Sequence, residues 1–171
     1  YCTSVTESIA IGRRALRGDG STAPTGDYNI GIGNFTMDAV TTGHSNVAIG
    51  HNAATALIGG IRNTAVGYGA FSTEDGGSDC VAVGWGSLAT QNHNTGQNTA
   101  IGSYAANALT TGIDSVYIGF KAGGIGTITN SENVVIGKSA ALNATSMAAS
   151  VFVGCNAGGL GVVTGASNTV V

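Results

Sequence analysis

The sequence predicts an all-β fold, a parallel β-solenoid of about nine rungs with a repeat of 17 or 18 residues, and three observations predict it. A five-residue core recurs along the whole chain. The glycine that closes each core keeps a nearly constant spacing, and a second position three residues later holds the same register. Self-similarity at so short a period points to stacked coils.

The core reads polar residue, β-branched residue, small residue, Ile or Val, then Gly, with Tyr117, Val135 and Phe152 taking the small-residue place late in the chain. Its nine full copies end at Gly12, Gly33, Gly50, Gly67, Gly84, Gly102, Gly119, Gly137 and Gly154, and a tenth is cut at Val171. After a first interval of 21 the spacings are 17 or 18. The residue three after each glycine is always small, as at Ala15, Thr36, Ala53 and Ser87. Residues 1–171 therefore read as one repeat domain.

Each core is a short strand, because β-branched residues alternate within it and turn formers bound it, with no 3.6-residue period anywhere. A second glycine lies three residues before the polar opener at Gly26, Gly43, Gly60, Gly77, Gly112 and Gly165. It is expected to supply a second corner where φ is positive. Identical strands stacked about 4.8 Å apart would make a rod roughly 40 Å long.

Side chains alternate across a strand, so the residues three and one before the glycine share a face: Ile9 with Ile11, Val47 with Ile49, on to Val151 with Val153. Only Thr64 and Thr99 interrupt it among full repeats. The middle residue is Ala or Gly in six repeats and then turns bulky at Tyr117, Val135 and Phe152. The residue four after the glycine changes in the opposite sense, from Leu16, Met37, Ala54, Phe71, Leu88 and Ala106 to Gly123, Ala141 and Gly158. Close-packed interiors accept added volume only where volume is removed nearby, so the two positions are expected to touch inside the coil. The Ile/Val face then points outward and needs cover. An identical chain is the simplest cover, and a rod with one apolar stripe closes as a cyclic oligomer. A homotrimer is the expectation, with a dimer also open.

Composition narrows the function. Charged residues are 9% of the chain, the net charge is −3, and no basic run exists to neutralise phosphates, so nucleic acid is not an expected partner. No apolar run is long enough for a membrane span. Cys2, Cys80 and Cys155 lack metal-ligand spacing. The register separates Cys80 from Cys155 by four rungs, about 19 Å, beyond disulfide reach. Free thiols are expected, with Cys2 a candidate for pairing with another chain.

The Asn-Val-Ala-Ile-Gly core at Asn46–Gly50 and the Asn-Thr-Ala-Ile-Gly core at Asn98–Gly102, each followed by a small residue, resemble the head repeats of trimeric autotransporter adhesins and the related repeats of bacteriophage tail fibres. The resemblance spans nearly the whole chain. It implies a trimeric fibre of β-rolls that displays receptor-binding surfaces at a distance from a cell or virion, hence an extracellular, cell-surface or virion location. The truncated last repeat suggests a fragment of a longer fibre, or a self-assembling filament subunit that pairs end to end.

No enzyme is expected, and no cofactor or metal. His44, His51 and His93 form no zinc-binding pattern, and no Gly-x-Ser-x-Gly elbow is present. Glu74, Asp75 and Asp79 cluster in a glycine-rich turn that could hold calcium but reads first as a solvated corner. Arg17-Gly18-Asp19 spells an integrin tripeptide that three residues in a glycine-rich chain produce by coincidence. An ice-binding face would need an array of outward Thr-x-Thr, which the pairs Thr41-Thr42 and Thr110-Thr111 do not supply. The Asn column, Asn29, Asn46, Asn63, Asn98, Asn133 and Asn168, reads as a structural ladder of side-chain amides.

The position after the core glycine carries His51, Tyr68, Trp85, Ser103 and Phe120 in successive rungs. Two readings are open for this aromatic ladder. His51, Tyr68, Trp85 and Phe120 form a glycan-binding surface, or the rings stack on one another and cover Gly69 and Gly86.

Overall fold

A computed structural model describes residues 7–21, 23–73, 75–91, 96–124, 128–129, 131–159 and 163–171. Its strands, in chain order, are β1 (Ile9–Ile11), β2 (Ile30–Ile32), β3 (Val47–Ile49), β4 (Thr64–Val66), β5 (Val81–Val83), β6 (Thr99–Ile101), β7 (Val116–Ile118), β8 (Val134–Ile136), β9 (Ser146–Ala148), β10 (Val151–Val153), β11 (Thr164–Ala166) and β12 (Thr169–Val170). No helix occurs among the described residues, and so none long and apolar enough to cross a membrane.

Ten strands form one parallel sheet in the order β1 to β8, then β10 and β12. Each is the recurring core of one rung, and every pairing holds one register: Ile9 faces Ile30, Val47 faces Thr64, and Val151 faces Thr169. A sheet built this way from successive turns of one chain is a β-solenoid. The first interval of 21 residues does not disturb the register, because Leu16 donates to Thr36 and Thr25 to Thr41, leaving the extra residues between Leu16 and Thr25. A smaller second sheet pairs β9 with β11 late in the chain.

Each three-residue strand buries its middle side chain and leaves the flanking two partly exposed, as in β2 to β8. The core inside the coil joins those middle residues to the residues four after the glycine, with Leu16, Met37, Phe71, Leu88, Tyr117 and Phe152 almost fully buried. The two positions touch, as their exchange of bulk requires. A Cβ on Gly123 would lie 2.6 Å from the Tyr117 ring, one on Gly158 3.0 Å from Phe152, and one on Gly31 3.3 Å from Leu16.

The turns differ from expectation in one respect. Gly165 is at positive φ as expected, at +94°, but Gly26, Gly43 and Gly60 are not; these are glycine because the next rung passes too close, and a Cβ on Gly43 would sit 2.7 Å from the Gly60 carbonyl oxygen. The turning is done largely by non-glycine residues in the left-handed region, with Gly69, Gly86, Gly123 and Gly158 taking the same positions in other rungs. They recur five before the core glycine (Tyr28, Ser45, Arg62, Asp79), two after it (Arg14, Phe35, Asn52) and four after it (Leu16, Met37, Ala54). Such a conformation costs about 1–2 kcal/mol per residue. It is offset because these residues turn their N–H groups onto a neighbouring rung: Phe35 to Arg13, Met37 to Ala53, and Ser45 to Asp27. The core glycines behave as the sequence demands, at φ near +130° and stacked one on another.

Candidate functional site

The polar openers line the inside of the coil and make a buried spine. The Oδ1 of Asn29 accepts the Asn46 N–H at 3.0 Å, Asn46 accepts from Asn63 at 2.9 Å, and Asn63 accepts from Cys80 at 3.0 Å. Each Nδ2 donates sideways to a backbone carbonyl, from Asn29 to Gly43, Asn46 to Gly60, Asn63 to Gly77 and Asn98 to Gly112. The ladder is therefore chiefly amide to backbone, with Asn46 to Asn29 a direct amide-to-amide step. Ser115 and Ser150 substitute their hydroxyls for an amide, accepting from Asn133 and Asn168. At Cys80 a thiol takes the place, and the buried Gln91 reaches in to bond both Cys80 and Asn98. With every amide occupied by backbone, the spine carries structure and no chemistry.

The aromatic ladder lies outside, on the turn that follows each core glycine. His51 stacks on Tyr68 with ring centres 5.2 Å apart and planes 5° from parallel. Tyr68 meets Trp85 edge-on at 6.0 Å. The ladder then leaves the expected column. Its next ring is Tyr104, 5.5 Å from Trp85, and its first is Phe35, 5.6 Å from His51. Both stand two residues after the glycine, one further on than the column read from sequence. Phe120 makes no ring contact among the described residues, although Tyr104 precedes it by one rung as Phe35 precedes His51; its ring instead carries the Lys121 ammonium at 5.3 Å.

Tyr68 and Trp85 are more than half exposed. The covering role applies to one glycine only: a Cβ on Gly86 would meet the Tyr104 ring at 3.2 Å, while Gly69 has open space above it. Because Tyr68 and Trp85 meet edge to face, the pair is not closed into a parallel stack and offers apolar ring surface to solvent, the feature sugar rings pack against.

Other candidates resolve less favourably. Arg62 and Asp79 form a two-pronged ion pair at 2.6 and 2.7 Å on consecutive rungs, which lowers the Asp79 carboxyl pKa through hydrogen bonding and commits that carboxylate. Glu74 and His93 lie outside the described residues, as does Cys2, and no cluster of three metal-binding side chains occurs among the described ones. Arg17 of the Arg-Gly-Asp tripeptide is bound to Asp38 at 2.7 Å. Cys80 is buried and Cys155 exposed, and neither is joined in a disulfide among the described residues. The chain matches no protein-family model, no curated protein and no solved structure with which it was compared.

Proposed function

We propose that the chain is a structural segment of an extracellular or virion fibre, a tail-fibre or adhesin shaft of several identical solenoids whose aromatic edge contacts a receptor glycan. One observation carries the fibre reading: the outward Ile/Val stripe, interrupted in the full repeats only at Thr64 and Thr99, runs along the sheet partly to largely exposed. Ile9 is 49% exposed, Ile11 58%, Ile49 38% and Ile101 41%. Soluble monomers rarely present so continuous an apolar strip. In a cyclic assembly of parallel rods the strips meet on a shared axis, and a trimer closes them while leaving the other sides free.

The test is the mass of the 171-residue chain under native conditions, by analytical ultracentrifugation. A trimer is expected, and Ile49→Lys combined with Ile101→Lys should dissociate it while the β-sheet circular dichroism persists. A stable monomer would remove the fibre reading. A second reading, end-to-end growth into a filament, draws on β1 and β12 being the edge strands of the sheet. Open-ended filaments in electron micrographs would favour it over a closed trimer.

A further inference from the structure

The two residues after each core glycine form a continuous edge. The N–H of the second donates to the carbonyl of the first in the preceding rung: Phe35 to Arg13 at 2.8 Å, Tyr104 to Trp85 at 2.7 Å, Lys121 to Ser103 at 3.0 Å, and Asn156 to Lys138 at 2.9 Å. In-register stacking thus converts residues 17 or 18 apart into neighbours.

Charge is segregated along this edge. Four of the six Lys and Arg residues lie in it, Arg13, Arg14, Lys121 and Lys138, and none of the nine Asp and Glu residues does. The edge carries +4, while the remaining two cations and nine acids leave the rest of the chain at −7. The cations stand at the two ends, Arg13 and Arg14 on the first rung and Lys121 and Lys138 on the seventh and eighth. The five rungs between hold the rings from Phe35 to Tyr104 and no charge. Arg13 and Arg14 lie 5.1 and 5.2 Å from the centre of the Phe35 ring, so the guanidinium pair is continuous with the ladder. Arg14 shares Asp38 with Arg17, at 3.4 and 2.7 Å, whereas Arg13 has no ion pair among the described residues.

We infer that this edge binds a linear acidic polysaccharide, its sugar rings lying along the aromatic tract and its carboxylate or sulfate groups meeting the cationic ends. The inference rests on the glycan-contacting reading above and adds the charge of the ligand. A neutral glycan would draw nothing from collecting the cations and excluding every acid. A single-stranded nucleic acid fits poorly, because it presents a phosphate at each nucleotide and the uncharged tract of five rungs, about 24 Å, would leave several unneutralised beside a strongly acidic remainder. Widely spaced anionic groups suit widely spaced cations.

Isothermal titration of the whole chain with fragments of hyaluronan, unsulfated chondroitin and heparosan, which space their carboxylates at every second sugar, against dextran and single-stranded poly-dT, tests it. At least one acidic glycan should bind more tightly than dextran or poly-dT, and more weakly as salt is raised. Trp85→Ala should weaken that binding about tenfold, the scale of one lost ring-stacking contact. Arg13→Gln with Lys138→Gln should weaken it similarly and flatten the salt dependence; all three side chains are exposed, so the fold should stand. Dextran binding as tightly, or the charge variant binding unchanged, would overturn the acidic ligand and leave the glycan edge standing. Failure of all three acidic glycans and dextran, or indifference to Trp85→Ala, would remove both. Tighter binding of poly-dT would replace the inference with a nucleic-acid edge.

Discussion

Glycine at Gly50 and glycine at Gly69 look alike in sequence, yet the surrounding rungs give them opposite demands. Gly50 has φ of +134°, and a Cβ there would lie 2.5 Å from the Gly67 carbonyl oxygen, so Gly50→Ala must push two rungs apart. Gly69 has φ of +61° and open space, at a position where Phe35 and Tyr104 adopt the same conformation with side chains. Thermal unfolding followed by circular dichroism should show Gly69→Ala costing about 1–2 kcal/mol and Gly50→Ala more than about 3 kcal/mol. Tyr117 poses a different residue-scale problem, since its ring fills the core while its hydroxyl finds no hydrogen-bond partner among the described residues. Burial raises its pKa above that of an ordinary phenol, and the approaching side chains of Ser115 and Asn133 oppose that only in part. A phenol whose folded pKa is raised holds its proton more tightly folded than unfolded. Its contribution is complete below the unfolded value of roughly 10 and is lost as pH rises above it. Tyr117→Phe should therefore raise stability by about 1 kcal/mol at neutral pH. It should also shift the alkaline unfolding midpoint upward in a pH titration.

At the scale of the element, each rung is defined by its contacts with the next, and two columns dominate. Asn63 accepts the Cys80 N–H and donates to the Gly77 carbonyl, both buried, so Asn63→Ala removes two buried hydrogen bonds and should cost about 1–3 kcal/mol in denaturant unfolding. The bulk-exchange column gives a sharper test. Tyr117→Ala alone empties the centre of a rung and should cost about 3–5 kcal/mol. Adding Gly123→Leu rebuilds the arrangement of Ala82 and Leu88, whose backbone is likewise left-handed at the second position, with φ of 49° at Leu88 and 60° at Gly123. The double variant should recover a large part of the loss, giving a coupling of about 1–3 kcal/mol in a double-mutant cycle. Additive losses would show that the two positions do not share one space.

At the scale of the molecule, stacking copies each rung position into a line, and the chain uses three such lines differently: a buried amide spine, an outward aliphatic stripe and an aromatic edge with cationic ends. The stripe argues for other copies of the chain. The edge argues for a ligand. Much of this was legible beforehand, because a strict period lets any column be written down by counting from the core glycine. Counting placed the spine, the stripe, the inward exchange of bulk, and His51, Tyr68 and Trp85. It did not find Phe35 and Tyr104, because rings one position apart in different rungs become neighbours only when the turn after the glycine folds both columns onto one edge. It also placed Phe120 in the ladder, where its ring meets Lys121 and no other ring among the described residues. The residues after each glycine, taken as a pair across rungs, would have revealed both the missing rings and the gathered cations.

The period, the identity of the ten strands of the main sheet, the parallel register and the inward and outward faces were determined by the sequence itself, whereas β9 and β11 lie outside the recurring core and were not legible in it. A repeating pattern of β-branched residues closed by glycine admits only one stacking in which like residues meet. Tertiary structure alone decided how each coil turns. Tyr, Arg, Leu and Met give no local sign of left-handed backbone, and they adopt it because their N–H groups then reach a neighbouring rung. That interaction exists only once two rungs are already side by side.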